Sequence, residues 1–492
     1  MIESLLAGFE AALTLYNLLF IAFGIALGIV IGAIPGLGSV TALAVLIPLT
    51  YYMQPVTAIA FLVGVNKGAT SGGAVPAILL NSPGTPEAAA SALDGYPLAQ
   101  RGEAMRAMKF ALYSSVTGDS LSDLLLIVLV VPFAAIALQF GPMEYTSVLL
   151  FAFALLSGIS AGSTLKALIA IFLGVFLASI GLDPVTSGER MTFNRIELYD
   201  GLPLAGLAIG ALAMASVLQD LIDTWRDPRT AAETGGRIEF TRTRLPLGEF
   251  FSYWRTILRS ALIGSGVGML PGLGVSLAAF LSYGAARRAS DRPESFGTGN
   301  PEGIIATEAA NSAVVGANLV PTIALGVPGN IAAALLIGAF MIHGIVPGPF
   351  MLTMHGDVIY ALFASMLMAN VVHLIIGRCG IQIWGVFARM PKGMILPPVL
   401  VMCVVGVYLP TQSIFDVGVM LCFAVVGLFL RRTGFPAVCL VIGFLLGGLF
   451  ETSLRQSLLL YKSDFTVVFG SPIALCFLAM TAFILARSAL RA

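Results

Sequence analysis

PAILLNSPG, at residues 76–84, returns 245 positions later as PTIALGVPG, at residues 321–329. Each copy begins with a proline and ends in Pro-Gly, and proline interrupts a helix because it lacks the N–H donor and clashes with the preceding turn. A second element, PGLG, is also duplicated, at 35–38 and at 271–274. The two halves of the chain therefore share an order of helix breakers. Paired interruptions of this kind are the best sequence pointer to the substrate site of a secondary transporter.

The segments around these breakers are almost continuously apolar. Hydrophobic residues make up 58% of the chain and charged residues 11%, and the mean hydropathy is +0.95. Many runs approach the roughly 20 apolar residues that a helix needs to cross a bilayer. Because these runs are unbroken, they do not show the alternating pattern of a transmembrane β-strand. The composition predicts an all-α polytopic membrane protein.

Other classes of function find little support in the sequence. The formal net charge is zero and no basic cluster is interleaved with aromatic residues, so nucleic-acid binding is not expected. The five cysteines and three histidines are scattered, which argues against a disulfide framework or a bound metal. No phosphate-binding loop or nucleophile motif is present, so we expect neither an enzyme nor an organic cofactor. The first basic residue is Lys67, so no signal peptide is expected.

The distribution of basic residues predicts two repeats of opposite orientation. We expect a first transmembrane repeat over 1–222, a polar cytoplasmic linker over 223–255 and a second repeat over 256–492 with an extra C-terminal helix. The linker is rich in arginine, and positive loops tend to stay in the cytoplasm. The stretch after the first breaker contains Arg101 and Arg106, whereas 331–357 has no lysine or arginine. These counts place the N-terminus outside and the C-terminus in the cytoplasm, although Arg190, Arg195, Arg455 and Lys462 fall on the outer side.

Each Pro-Gly breaker frees backbone N–H and C=O groups that no turn of helix can satisfy. The start of the following half-helix presents such N–H groups to an anion, and unwound carbonyls suit a small cation. We therefore expect the two broken helices to meet near the middle of the membrane and hold an organic anion. A proline kink that only packs helices is the alternative. The predicted substrate ligands are Asn81, Ser82, Pro83, Gly84 and Thr85 in the first copy and Gly326, Pro328, Gly329 and Asn330 in the second.

The PGLG turns and two duplicated amides predict a cation site, with Na⁺ as the expected ion. Asn66 and Asn311 each stand ten residues before the proline that opens a breaker. Their side chains suit either a cation or the backbone groups that the breakers free. The predicted cation ligands are Gly36, Gly38, Ser39, Asn66, Gly272, Gly274 and Asn311.

Lys67 adds a cation to an otherwise uncharged span. A lone ammonium in a membrane is costly and points to function, so Lys67 is a candidate ligand for a substrate carboxylate. The alternative is a lysine that extends to the membrane surface. Asp119 and Asp123 are four residues apart and share one helix face, and Glu308 flanks the second breaker. These carboxylates suit either an ion site or polar contacts at helix ends.

The motifs together resemble the TctA family, the large membrane subunit of the tripartite tricarboxylate transporters. The likeness covers essentially residues 10 to 488. In the first half it rests on GAIPGLG at 32–38, on residues 76–86 and on DGYP at 94–97. In the second half it rests on GMLPG at 268–272, EG at 302–303, EAAN at 308–311, LGVPG at 325–329 and PGP at 347–349.

The resemblance implies a permease of the bacterial inner membrane with two partners. These are a small membrane subunit of the TctB type and a periplasmic solute-binding protein of the TctC type, and the complex imports carboxylates with a cation gradient. The chain departs from the family at KGATSGGA (67–74), where a Tyr-Gly-Gly-Ser-like run is usual. The anion is thus left open, and citrate is not assumed. An autonomous symporter, a channel and a membrane enzyme remain as alternatives.

Overall fold

The structure, a computed structural model, describes residues 8–10, 12–34, 38–81, 85, 87–159, 163–183, 188–226, 245–270, 275–387, 392–461 and 470–489. Helices make up most of this part of the chain, which confirms the predicted all-α class. One short antiparallel hairpin pairs Gly181 with Arg190 and Leu182 with Glu189.

The helices follow one another along the chain with short connections. The first half contains α1 (Leu15–Gly32), α2 (Ser39–Leu46), α3 (Pro55–Gly72), α4 (Ala74–Leu80), α5 (Ala88–Leu98), α6 (Ala104–Ala137), α7 (Pro142–Ile159), α8 (Thr164–Ala178), the strands β1 (Gly181–Leu182) and β2 (Glu189–Arg190), α9 (Leu204–Ala208) and α10 (Ala215–Arg226). The second half contains α11 (Leu247–Ser252), α12 (Trp254–Met269), α13 (Val275–Ala289), α14 (Pro301–Ala317), α15 (Leu319–Leu325), α16 (Ile331–Ile342), α17 (Met351–Met354), α18 (Gly356–Phe387), α19 (Lys392–Thr411), α20 (Ile414–Arg432), α21 (Ala437–Leu460) and α22 (Pro472–Ala489). Short 3₁₀ turns cover Ile47–Tyr52, Ile196–Leu198 and Pro293–Ser295, and π-helical turns cover Ala99–Glu103 and Ile209–Met214.

The duplicated breakers produce two broken helices that break at equivalent positions. The first consists of α3 and α4, separated by Gly73, and the second of α14 and α15, separated by Asn318. The difference in residue number between Pro76 and Pro321 also separates the first residues of α4 and α15 and their last residues. Asn81 and Gly326 end the two short helices in the left-handed conformation, with φ of 52° and 67°. The repeated sequence is therefore a repeated structure.

In each half a glycine-rich helix packs closely on the broken helix. A Cβ on Gly28 of α1 would overlap the Val65 carbonyl oxygen of α3, and one on Gly68 of α3 would overlap that of Ile25 in α1. The second half repeats the arrangement, because a Cβ on Gly264 of α12 would overlap the Ala310 carbonyl oxygen of α14. Small residues allow such backbone approach between membrane helices, where dispersion rather than the hydrophobic effect drives association.

The two halves interlock through their longest helices. α6 belongs to the first half and packs against α14 of the second, while α18 belongs to the second half and packs against α3 of the first. At the first of these crossings Gly118 of α6 lies directly on the Ala309 backbone. α6 and α18 also contact each other, as do α3 and α14. The middle of the protein is therefore the place where these four helices meet.

The chain is a multi-pass membrane protein. In the described part of the chain, six helical segments are long and apolar enough to cross a bilayer: Leu15–Gly32, Ala88–Ala137, Pro301–Leu325, Gly356–Ile381, Ile414–Arg432 and Ala437–Leu460. Several shorter apolar helices accompany them. The inverted orientation of the halves, the side of each terminus and the domain limits stay predictions. Residues 227–244 of the predicted linker lie outside the described residues.

We predict that Gly264→Val destabilises the protein, because the new side chain would overlap the backbone of α14. Overpacking of this kind costs about 1–3 kcal/mol. The measurement is the thermal unfolding midpoint of the purified protein in detergent. Gly266→Val is the matched control, since Gly266 lies on the same helix, is exposed and has no atom within 4 Å of its Cβ position. Equal midpoints for the two variants would contradict the proposed helix contact.

Candidate functional site

The first breaker lies beside the first PGLG turn. Asn81 is exposed at the end of α4, whereas Thr85 is 5% exposed. The Thr85 side chain packs on two glycines: a Cβ on Gly38 would lie 2.8 Å from its Cγ2, and one on Gly73 would lie 3.1 Å from its Oγ1. Ser39, half-buried, begins α2 directly after Gly38. The fold thus brings three predicted ligands, Gly38, Ser39 and Thr85, to one place.

The second breaker is arranged in the same way. Gly329 is buried, and a Cβ there would lie 2.6 Å from the Asn318 Cβ and 3.0 Å from the Gly268 carbonyl oxygen at the end of α12. Pro328 is also buried, and Asn330 caps α16 by accepting a 2.8 Å hydrogen bond from the Ala333 N–H. Gly329 is therefore packed against the end of α12, the helix that precedes the PGLG residues of the second half.

Other predicted ligands lie outside the described residues. They are Gly36, Ser82, Pro83, Gly84, Gly272 and Gly274.

The Gly326 turn is held by a side chain that sequence reasoning did not identify. Tyr145 of α7 donates its hydroxyl to the Leu325 carbonyl, which ends the second broken helix. A Cβ on Gly326 would lie 2.8 Å from both the Tyr145 hydroxyl and the Pro347 carbonyl oxygen. Only glycine fits this crowded left-handed position. Pro347 belongs to the PGP motif, so that motif packs against the second breaker.

Several amide groups on the two broken helices are buried without a partner. The Oδ1 atoms of Asn66 and Asn311, and both amide atoms of Asn318, accept or donate no hydrogen bond within the described part of the protein. These three residues are at most 2% exposed. A buried polar group without a partner costs free energy, so each such group needs an explanation such as a bound ion or ligand. Asn318 was not predicted, although it occupies the position of Gly73 in the repeat.

Lys67 lies at the crossing of the four central helices and does not extend to a surface. It is 1% exposed. Its Nζ lies 2.6 Å from Asp123 Oδ2 and 3.4 Å from Asp119 Oδ1, both on α6. The Lys67 ammonium also donates a 2.7 Å hydrogen bond to Oδ1 of Asn370, a residue of α18. The Nδ2 of Asn370 in turn donates a 2.7 Å hydrogen bond to Asp123 Oδ2. The two aspartates share one helix face, as the spacing predicts, and both face this ammonium.

Glu308 forms a second buried polar cluster one helix away. It is fully buried on α14 and accepts hydrogen bonds from Ser91 of α5 and, at 3.1 Å, from Ser115 of α6. The Ser91 hydroxyl oxygen also lies 2.9 Å from the Thr307 hydroxyl oxygen. The two serines were not singled out in the sequence, because an isolated serine in an apolar helix carries no recognisable pattern.

Asp94 of the DGYP motif joins the two halves near the start of α14. Its Oδ1 accepts hydrogen bonds from the backbone N–H groups of Gly297, Gly299 and Asn300 at 2.8–2.9 Å, and its Oδ2 accepts one from Tyr283 at 2.9 Å. A carboxylate at the start of a helix is favoured by these donors and by the helix dipole. This contact gives the motif a structural role.

A multi-pass helical protein with two matched broken helices, packed against each other around buried polar groups, has the architecture of a secondary transporter. The sequence profile described as "Tripartite tricarboxylate transporter TctA family" matches residues 18–442. The chain belongs to this family, so it is a subunit of a tricarboxylate transporter.

Two relatives from Agrobacterium vitis are similar to the chain. The first is described as "Uncharacterized 52.8 kDa protein in TAR-I ttuC' 3'region" and is 34% identical over 480 residues, which is 98% of this chain and 94% of the relative. The second, "Uncharacterized protein in TAR-II ttuC' 3'region", is 34% identical over 217 residues, which is 44% of this chain and 90% of the relative. No solved structure matches the chain.

We predict that Lys67→Met lowers the amount of folded protein, because it leaves Asp119 and Asp123 buried without their cation. Breaking a buried pair costs on the order of 3–5 kcal/mol. The double variant Lys67→Met, Asp123→Asn removes one of the uncompensated charges and should recover much of the yield. The measurement is the monodisperse fraction of detergent-solubilised protein. Normal yield of Lys67→Met together with a raised KM for transport would instead assign Lys67 to the substrate.

Proposed function

We propose that this chain is the large permease subunit of a binding-protein-dependent secondary transporter that imports tricarboxylates or related organic anions, coupled to Na⁺. The observation that carries the proposal is the pair of matched broken helices, which contact each other and carry buried amides without partners. In a membrane, irregular backbone and unpartnered polar groups persist only where they are enclosed by protein or line a polar path.

The second breaker supports binding of a carboxylate. α16 begins directly after Gly329 and is capped by Asn330, so its first N–H groups and its dipole favour an anion at that end. Asn318 lies against Gly329 with both amide atoms unpartnered, which supplies a neutral donor and acceptor beside the helix start. By the symmetry of the repeat, the segment from Asn81 to Thr85 presents the other half of the anion site.

The duplicated amides support binding of a cation. Asn66 and Asn311 occupy equivalent positions on α3 and α14, and each has a buried Oδ1 without a partner in the described part of the chain. Amide and backbone oxygens suit Na⁺ in transporters with broken helices. The PGLG turns, with Gly38 and Ser39 in the first half, are the other proposed source of ligands.

The proposed partners are a small membrane subunit of the TctB type and a solute-binding protein of the TctC type. The family is described as tripartite, which is what supports this part of the proposal. We place the chain in the bacterial inner membrane, with its N-terminus outside and its C-terminus in the cytoplasm. The hairpin at Gly181–Arg190 is then part of the outer face, where the binding protein delivers the anion.

This hairpin is held in one position by charged groups. Arg455 of α21 lies 3.0 Å from Asp183, and Arg190 lies 2.7 Å from Glu451 of α21. Arg190 and Arg455 are two of the four basic residues that disagree with an outer location of this face. Their pairing with acids explains how they can be tolerated there, since they serve as partners in a fixed network.

We predict that transport requires all three components. The purified chain is reconstituted in liposomes with an inward Na⁺ gradient, and the small subunit and the binding protein are added one at a time while uptake of labelled di- and tricarboxylates is followed. Uptake should appear only with the complete set and with external Na⁺. Full uptake by this chain alone would favour an autonomous symporter, and uptake that does not saturate with substrate would favour a channel.

We also predict that Asn66→Ala raises the Na⁺ concentration required for half-maximal uptake by on the order of ten-fold, because the variant removes a buried oxygen ligand. The folded yield should stay near that of the wild type, since the Asn66 Oδ1 accepts no hydrogen bond from the described protein. Ser120→Ala, at a half-buried position of α6, serves as a control. An unchanged Na⁺ dependence in Asn66→Ala would remove Asn66 from the cation site.

A further inference from the structure

The cluster at Lys67 carries more negative than positive charge. One ammonium faces the two carboxylates Asp119 and Asp123, and all three side chains are at most 1% exposed. An uncompensated charge in the membrane interior is expensive and is retained where it serves transport or signalling. The excess of one negative charge can be balanced by one monovalent cation.

The two carboxylates are held very differently. Asp123 Oδ2 accepts from the Lys67 ammonium at 2.6 Å and from the Asn370 amide at 2.7 Å, so this carboxylate has two close donors. Asp119 has only the longer 3.4 Å contact with Lys67, and neither of its oxygens accepts a hydrogen bond from the described residues. Asp119 is therefore the carboxylate that lacks compensation.

We propose that Asp119 is a proton-binding site of the transporter, which takes up one proton in each transport cycle at a place separate from the Na⁺ and substrate ligands of the breakers. The inference rests on the proposed transport function and adds a coupling ion to it. The ligand is a proton because Lys67 already occupies the position between the carboxylates where a metal cation would sit.

The surroundings of Asp119 contain few other titratable groups. The helices packed on α6 present Lys67 from α3 and His373 from α18, and His373 is fully buried with both ring nitrogens unpartnered in the described structure. α14 contributes Glu308, which is bonded to serines of its own cluster. α4 and α15 contribute no charged residue.

The remaining charged residues of these packed helices have other contacts or are exposed. Glu302 of α14 accepts hydrogen bonds from Thr256 and Ser290, and Asp357 and Arg378 of α18 are exposed. Asp94 of α5 accepts from the loop before α14. Arg259 of α12 contacts Thr256 near the start of that helix, and Arg255 stacks on Trp254 there. Arg106, at the start of α6, is paired with Glu103 and Glu249. Lys67, Asp123 and His373 are thus the groups that set proton binding at Asp119.

The geometry links protonation to movement of the broken helix. Lys67 belongs to α3, whereas Asp119 and Asp123 lie one turn apart on α6, so a shift of α3 along α6 would move the ammonium from one carboxylate to the other. In the present arrangement the ammonium is on Asp123, and a proton that binds an Asp119 carboxylate oxygen converts it to a neutral carboxylic acid. When the ammonium moves to Asp119, the acid loses that proton to the opposite side.

The direct test is infrared difference spectroscopy of the purified chain between low and high pH. The wild type should show a carboxylic acid band that disappears at high pH, and Asp119→Asn should lack this band. Asp119→Glu should keep it at a shifted frequency, and Ser120→Ala should leave it unchanged. A wild-type band that persists in Asp119→Asn, the absence of any titrating band, or a band displaced by Na⁺ at constant pH would each overturn the proposal.

The transport test separates this proposal from the function on which it rests. In the complete reconstituted system, counterflow of labelled tricarboxylate without any ion gradient tests whether the complex carries the anion at all. With equal Na⁺ on both sides of the membrane, uptake driven by a pH gradient should fall relative to counterflow by on the order of ten-fold or more in Asp119→Asn. The ratio of pH-driven uptake to counterflow in Ser120→Ala should equal that of the wild type. Absent wild-type counterflow would contradict the proposed function, whereas an unchanged ratio in Asp119→Asn would contradict only the proton site.

Discussion

The hydrogen-bonded ion pair between Lys67 and Asp123 is the interaction around which the central helices are arranged. It joins a broken helix of the first half to the long helix α6, and Asn370 adds the long helix α18 of the second half. Inside a membrane no water is present to solvate such groups, so each must be paired with another group of the protein. The close crossing of α6 over α14, which Gly118 permits, places the same long helix against the second broken helix. One buried contact therefore fixes three helices relative to each other.

The broken helices solve a second problem that the bilayer sets. Breaking a helix at membrane depth releases backbone groups. In the described residues, left-handed caps at Asn81 and Gly326 and the hydroxyl of Tyr145 satisfy some of them. Among the buried side chains that remain unsatisfied in the described residues, three amides, Asn66, Asn311 and Asn318, lie on the two broken helices or at a break point. Free polar atoms are thus present near the duplicated breakers, which is where binding energy would be useful for transport.

The buried acidic residues show how similar side chains can have different tasks. Asp94 is saturated by three backbone donors and a tyrosine, and Glu308 is held by two serines. Asp123 is paired with a lysine and an amide, but Asp119 has only a long contact with that lysine. Saturated carboxylates stabilise one arrangement of helices. Asp119, by contrast, lacks hydrogen-bond donors among the described residues and lies next to an ammonium that can pair with either of two carboxylates. At such a carboxylate the protein can respond to ions.

The sequence by itself determined the membrane class, the two broken helices and the family. The reason is that the length of an apolar run and the position of a proline are properties of a local segment and do not depend on which helices pack against it. The matching ends of α4 and α15 follow directly from the repeated letters at 76–84 and 321–329. Sequence reasoning also drew attention to Lys67, Asp119 and Asp123, but it left open whether the lysine binds a substrate carboxylate or extends to the membrane surface. Only the tertiary structure shows that the lysine is buried against both aspartates, and it brings in Asn370 from 303 positions away. The reason is physical: spacing along a helix shows which residues share a face, whereas the partner of that face depends on how helices distant in the chain cross.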